Sequence, residues 1–284
     1  MEASEATYPP DEVTFEHPPV HEVAMGVQFS SPALDEVAVL AEFWPRVRED
    51  FPRLEKQAPV APASETFEGD ASAPPGVEVH FGPQAPPVRY WFLTTAGTDL
   101  VQVQQDRFIV NWRQVEHTDM YPRYRHLRAR FEREYASLTE SLGPELGGNT
   151  AVDLCEITYV NQIPGELDGV KTQLADVLSI LQPRSAGSSV LPEIEDSNFQ
   201  ARYVVNRQDG DDSIGRLYVS AGPATRAPTG EQIYALSLLV RGRPEGQRIE
   251  DFLDFFDRGS SLIVQGFREL TTERMHELWG LRDG

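Results

Sequence analysis

The feature that most restricts this chain is a two-residue alternation of apolar and polar side chains that returns in segment after segment. In VHEVAMGVQF, residues 20–29, Val23, Met25, Val27 and Phe29 fall on one side and Glu22, Ala24, Gly26 and Gln28 on the other, as in a strand buried on one face only. Pro18 and Pro19 give it a firm start. The same period recurs over 89–95, 100–105, 107–112 and 153–163, and again over 199–206, 214–221 and 232–243. DGDD and GPATRAPTG separate the last three as turns. Gly97 and Asp106 sit at turn or bulge positions, and 100–112 reads equally well as one long bulged strand. Sequential strands joined by short turns pair antiparallel.

Such strands need cover, and four segments change to helical spacing. From about residue 33, Leu34, Val37, Leu40, Ala41, Trp44 and Val47 share a face, with Pro45 set to break or kink the element. Tyr124, Leu127, Phe131, Tyr135, Leu138 and Leu142 form the stripe of a helix over 121–142, stopped by Gly143-Pro144. A shorter amphipathic helix is expected over 166–182. A long one is expected over 249–278, interrupted at Gly259 and restarted near Thr271. The predicted fold is α+β: a mostly antiparallel sheet with helices on one side, in the order β-α-β-β-α-β, a linker helix, a β-meander and a long C-terminal helix. At 284 residues, either a single domain over 18–284 or two intimate halves, 18–165 and 166–284, fits. Residues 1–17 are acidic and aperiodic and read as a disordered leader. Segment 57–88 holds seven prolines and reads as an extended loop, a variable surface insertion with one short strand near 77–81.

Composition narrows the function classes. Hydrophobic residues at 40% and charged residues at 25% are globular values that exclude collagen, coiled coil and wholesale disorder. No apolar run reaches the roughly 20 residues that cross a bilayer, so no membrane role is expected. Forty-five acidic against 25 basic residues give −20, which repels nucleic acid unless the basic residues share one face. The lone Cys155 permits no internal disulfide, and the first residues lack a secretory pattern, so the cytoplasm is the expected compartment.

No nucleophile elbow, phosphate loop or dinucleotide fingerprint occurs, and the six histidines have no metal-ligand spacing. No cofactor, metal or catalytic residue is therefore assigned. Two constellations remain. Trp112-Arg113 and Tyr121-Pro-Arg-Tyr-Arg bring rings and Arg123, Arg125, Arg128, Arg130 and Arg133 close in sequence. That mixture suits phosphate or single-stranded nucleic acid, while the stripe favours aromatics in the core and arginines on a solvated face paired with Glu132 and Glu134. The second is a polar sheet face of Glu22, Gln102, Gln104, Asn111, Arg113, Glu156, Thr158 and Asn161, read as wet rather than enclosing a polar cavity.

The blocks PPVHEVAMGVQF, VQVQQDRFIVNWR, YPRYRHLRARFE, ITYVNQI, YALSLLVRGRP and LTTERMHELWG together resemble a sporadically distributed, uncharacterised bacterial protein family over most of residues 18–280. The resemblance implies an intracellular bacterial protein and transfers no catalytic residue. A long closing helix after antiparallel strands also resembles helix-grip proteins, which hold ligands between sheet and helix.

The expected function is a non-enzymatic binding or protein-interaction module whose partner is a protein or a small ligand. Its candidate residues are Glu22, Trp112, Arg113, Tyr121, Arg123, Tyr124, Tyr159 and Asn161. Nucleic-acid contact through the Arg/Tyr helix start is the alternative, disfavoured by net charge. An enzyme with Glu22 or Glu156 as acid or base and Arg113 as clamp is a second alternative, and it requires those groups to share a cavity. A homo-oligomer stays open.

Overall fold

The alternating segments assemble into one nine-stranded antiparallel sheet in this computed structural model, which describes residues 13–30, 34–67, 88–146, 150–167, 169–181, 194–207, 210, 212–227 and 229–283. The first half contains β1 (Val13–Phe15), β2 (Val20–Phe29), α1, β3 (Arg53–Gln57), β4 (Arg89–Leu93), β5 (Asp99–Gln104), β6 (Arg107–Arg113) and α2 (Tyr124–Leu146). Here α1 is Glu36–Ala38, a π turn Val39–Phe43 and Trp44–Val47 in succession. The second half contains β7 (Val152–Pro164), β8 (Glu166–Leu167), β9 (Val170–Lys171), α3 (Leu174–Val177), β10 (Phe199–Asn206), β11 (Ser213–Arg226), β12 (Glu231–Gly242), α4 (Ile249–Leu270), α5 (Glu273–Trp279) and β13 (Leu281–Asp283). Sheet order is β10-β11-β12-β7-β2-β6-β5-β4-β3, so β2 and β7 lie at the centre and join the two halves of the chain. The α+β class with helices on one side is as the alternation predicts.

All three long helical elements cover one face. Phe43 of α1 meets Phe92 and Phe108 at 5.6 and 6.3 Å, Phe131 of α2 meets Phe108 at 5.7 Å, and Phe256 of α4 meets Phe131 at 4.9 Å. Each pair is T-shaped, the arrangement that brings a ring's positive edge to its neighbour's negative face. Pro45 does not end α1. The π turn just before it widens the helix where the ring removes a hydrogen bond. Gly259 does not interrupt α4 either: a Cβ there would lie 2.7 Å from Ile157 Cγ2, so the glycine is what lets the helix approach the sheet.

Several expectations are corrected. The helix expected over 166–182 is instead the β8–β9 hairpin and the single turn of α3, because Gly169 adopts φ 77 and turns the chain back. An extra strand, β3, precedes the Pro-rich segment. Residues 13–15 of the expected leader form β1 and pair with β13, and buried Phe15 packs 5.3 Å from Phe267. Residues 1–12, the short strand expected near 77–81, and 208 together with 209 and 211 of the DGDD turn lie outside the described residues. The Pro-rich segment is no detached insertion over its described part. Residues 58–67 cross the polar sheet face, and Val60 and Ala63 hydrogen-bond to Gln104 and Gln28. That face is therefore covered along one band by a strap, where a wet surface was expected.

Candidate functional site

A cavity of about 260 Å³ opens between the sheet and α4. Ser260, Ile263, Val264 and Phe267 of α4 form one wall, recurring at the three- and four-residue steps that place side chains on one helix face. Tyr159 and Asn161 of β7 and Val20 of β2 form the floor, and Thr14, Phe15 and Pro18 close the end. Tyr121, Arg123 and Tyr124, where the chain enters α2, complete the ring. Tyr121 precedes Pro122, a position that resists α geometry. Arg123 then takes φ 75, the one described non-glycine residue with positive φ, and turns the chain into the helix at Tyr124.

Hydroxyl groups are linked across the cavity. Tyr121 donates to the Tyr159 oxygen at 3.2 Å, and Tyr159 and Ser260 are hydrogen-bonded at 2.9 Å. Asn161 Nδ2 donates to the Leu236 carbonyl at 3.1 Å, which leaves its Oδ1 as the acceptor a ligand can use. Tyr124 donates to Asp257 Oδ1 at 2.5 Å, and Arg128 Nε reaches both oxygens of that carboxylate at 2.9 and 3.2 Å. Arg123 Nη2 donates to the Phe15 carbonyl at 3.0 Å, tying the first strand to the rim. Burial pushes the Tyr121 phenol far above its usual range, with Tyr159 adding to the effect. Burial, then the Asp257 carboxylate, does the same to Tyr124. Both phenols therefore stay protonated and act as hydrogen-bond donors.

Of the eight candidate residues, Tyr121, Arg123, Tyr124, Tyr159 and Asn161 line this cavity. Trp112 lies behind it, buried, with its ring 5.4 Å from that of Tyr121. Glu22 and Arg113 are on the opposite face of the sheet. Glu22 accepts from Asn111 Nδ2 at 2.6 Å, and Arg113 donates to the Gly97 carbonyl at 3.1 Å and lies over the Trp91 ring. Asn161 is a correction: it does not belong with Glu22, Glu156 and Thr158. It shares the helix face with Ile157 and Tyr159, and a bulge at His21 places it opposite Val20. Sequence reasoning missed the α4 wall and the β1 lid. The Gly259-Ser260-Ser261 break in the apolar stripe was the available signal.

The other expected sites are differently built. Glu156 is salt-bridged to Arg241, and the 60 Å³ cleft that it lines with Gln28 and Arg107 includes neither Glu22 nor Arg113. In α2, Arg128 pairs with Asp257 and Glu132, Arg130 with Asp99, and Arg133 with Glu134 and Asp50, so these forks face carboxylates of the protein itself; the pairing with Glu132 and Glu134 is as the stripe suggested, but Arg128 and Arg130 are largely buried where a solvated face was expected. Burial pushes the Cys155 thiol well up, as befits a core residue. Among the described residues no group of three His, Cys, Asp or Glu side chains is placed to hold a metal, and no helix is long and apolar enough to cross a membrane. Compared with family models, curated proteins and solved structures, the chain finds no match in any of the three, and the block resemblance stands on the sequence alone.

Proposed function

We propose that this is a non-enzymatic binding module of the bacterial cytoplasm, whose ligand is a small molecule held between the sheet and α4. The observation that carries this reading is the cavity itself: about 260 Å³, walled by aromatic and aliphatic side chains, with Asn161, Ser260 and the Tyr121–Tyr159 pair converging on it. Apolar walls with a few directed polar groups are the usual form of a ligand site, and the volume suits a ligand somewhat below drug size. The Tyr121, Tyr124 and Tyr159 side chains that line it fit a flat ring. Asn161 Oδ1 fits a donor on it, and exposed Arg123 at the rim fits an anionic substituent. The site lies where the helix-grip analogy would put a ligand.

Native mass spectrometry of the protein purified at low salt from its host, beside Ser260→Phe, tests this. An added small-molecule mass on the wild type that is lost from the variant supports the proposal. If both chains are bare, and no compound in an aromatic-acid library raises the melting temperature of the wild type more than that of the variant, the reading is wrong.

A further inference from the structure

The strap over the polar face is recognised in the manner of a bound peptide. Gln104 holds residue 60 from both sides: its Oε1 accepts from the Val60 amide and its Nε2 donates to the Val60 carbonyl, each at 2.9 Å. Gln28 does the same at Ala63, accepting at 2.7 Å and donating at 2.9 Å. Between them Arg107 Nη2 donates to the Ala61 carbonyl at 3.1 Å. Gln28, Gln104 and Arg107 are all buried; Arg107 also bonds Asp106 and Gln28, and Gln104 Nε2 also bonds Asp106, so it is Gln28 Nε2 and Gln104 Oε1 that would lose their partner without an occupant.

The spacing is commensurate with a proline-rich chain. Residues 60 and 63 lie over β5 and β2, which are separated by β6 alone. Three residues of polyproline II advance about 9.3 Å, and two strand spacings are about 9.6 Å, so an extended chain laid across the strands meets every second strand with every third residue. The strap reads Pro59-Val60-Ala61-Pro62 here. Bonds to its peptide groups select the backbone conformation, not the side chains.

Sequence preference comes at the far end. Glu65 accepts from the Tyr218 hydroxyl at 2.6 Å and from Arg241, its side chain 4% exposed. Two residues on, the Phe67 ring lies 4.2 Å beneath the Arg243 guanidinium. An acid and an aromatic two places apart thus anchor a segment whose middle is held through its backbone.

We infer that the polar face of the sheet is a docking groove for an extended Pro-x-x-Pro segment of a partner protein followed by an acidic and then an aromatic residue, and that residues 58–67 occupy it in cis. Most of the strap stays exposed to solvent above the groove, so exchange for a competing segment need not open the core. Cis occupancy lowers the apparent affinity by the fraction of molecules with the groove open. This inference is independent of the ligand cavity, which lies on the other side of the sheet.

The test is fluorescence anisotropy with a labelled synthetic peptide QAPVAPASETF, added to the full chain and to full-length Glu65→Ala/Phe67→Ala, in which both cis anchors are gone. Saturable binding to the double variant at least about tenfold tighter than to the wild type is expected. That binding should disappear when Gln28→Ala and Gln104→Ala are added, and a scrambled peptide should not bind. Equal binding to wild type and double variant, or binding to neither, overturns the inference. If the double variant does not fold, hydrogen exchange on the wild type decides: excess peptide must speed exchange of the Val60 and Ala63 amides, and unchanged exchange overturns it. A wild-type dimer that the peptide dissociates would make a second copy the donor and overturn the external partner.

Discussion

The two faces of one sheet are built on opposite principles. The helix face is closed by interlocking rings: Phe43, Phe92, Phe108, Phe131, Tyr135, Phe252 and Phe256 form an unbroken chain of edge and stacked contacts from α1 to α4. The other face is closed by amides and guanidinium groups. Trp91 and Arg89 both donate to Gln102 Oε1, Gln102 donates to Asn111, Asn111 to Glu22, and Gln28, Gln104 and Arg107 hold the strap. Apolar contact is non-directional, so the helix face stabilises the fold chiefly through the surface it removes from water. A buried amide left without its partner costs about 1–3 kcal/mol, so the polar face is selective about what lies on it.

The contrast can be broken first on the helix side. Phe131→Ala removes a fully buried ring that touches Phe108, Tyr135 and Phe256, and should lower the unfolding free energy by about 3–5 kcal/mol in urea titrations. A loss below about 1 kcal/mol would mean that this layer can repack freely. On the polar side, Gln102→Leu takes the acceptor from Arg89 and Trp91 and the donor from Asn111. About 1–3 kcal/mol should be lost by the same titration, and an unchanged midpoint would mark that network as dispensable. The smallest effect sharpens the comparison. Cys155 lies on the helix face, fully buried, its thiol held protonated by burial. Its labelling by a thiol reagent should be accelerated by Phe131→Ala and left unchanged by Glu65→Ala, which removes the strap's anchor to Tyr218 and Arg241 on the other face. Equal acceleration by both would mean that the faces open together.

What was legible in the sequence follows the same division. Periodicity records which side of a strand is dry, so β2, β5, β6, β7 and the meander β10–β12 could be read, as could the stripes of α2 and α4. β3 could not: RLEKQ is a polar edge strand with one apolar residue, and nothing alternates. The 166–182 error arose because Leu167, Val170, Leu174, Val177 and Leu178 satisfy helical spacing while the Asp168-Gly169 turn signal was passed over. The strap was invisible because its bonds join residues 35 to 176 positions apart and leave no local pattern. Among the site residues, Tyr121, Arg123 and Tyr124 drew attention through composition. Their meeting with Tyr159 and Asn161 depends on register across β7 and on the bulge at His21, which alternation alone does not fix. The parity of β7 did carry the face of Asn161: it is an odd-numbered residue, like Ile157 and Tyr159.

Arg123 has one more consequence. At φ 75 a side chain bearing a Cβ is disfavoured by roughly 1–2 kcal/mol, and glycine would rest there without strain. A glycine, however, would bring no guanidinium to the cavity mouth and no tie to the Phe15 carbonyl. At this single position backbone comfort and rim charge are mutually exclusive, and the chain carries a locally strained backbone at the residue whose guanidinium lines the cavity mouth.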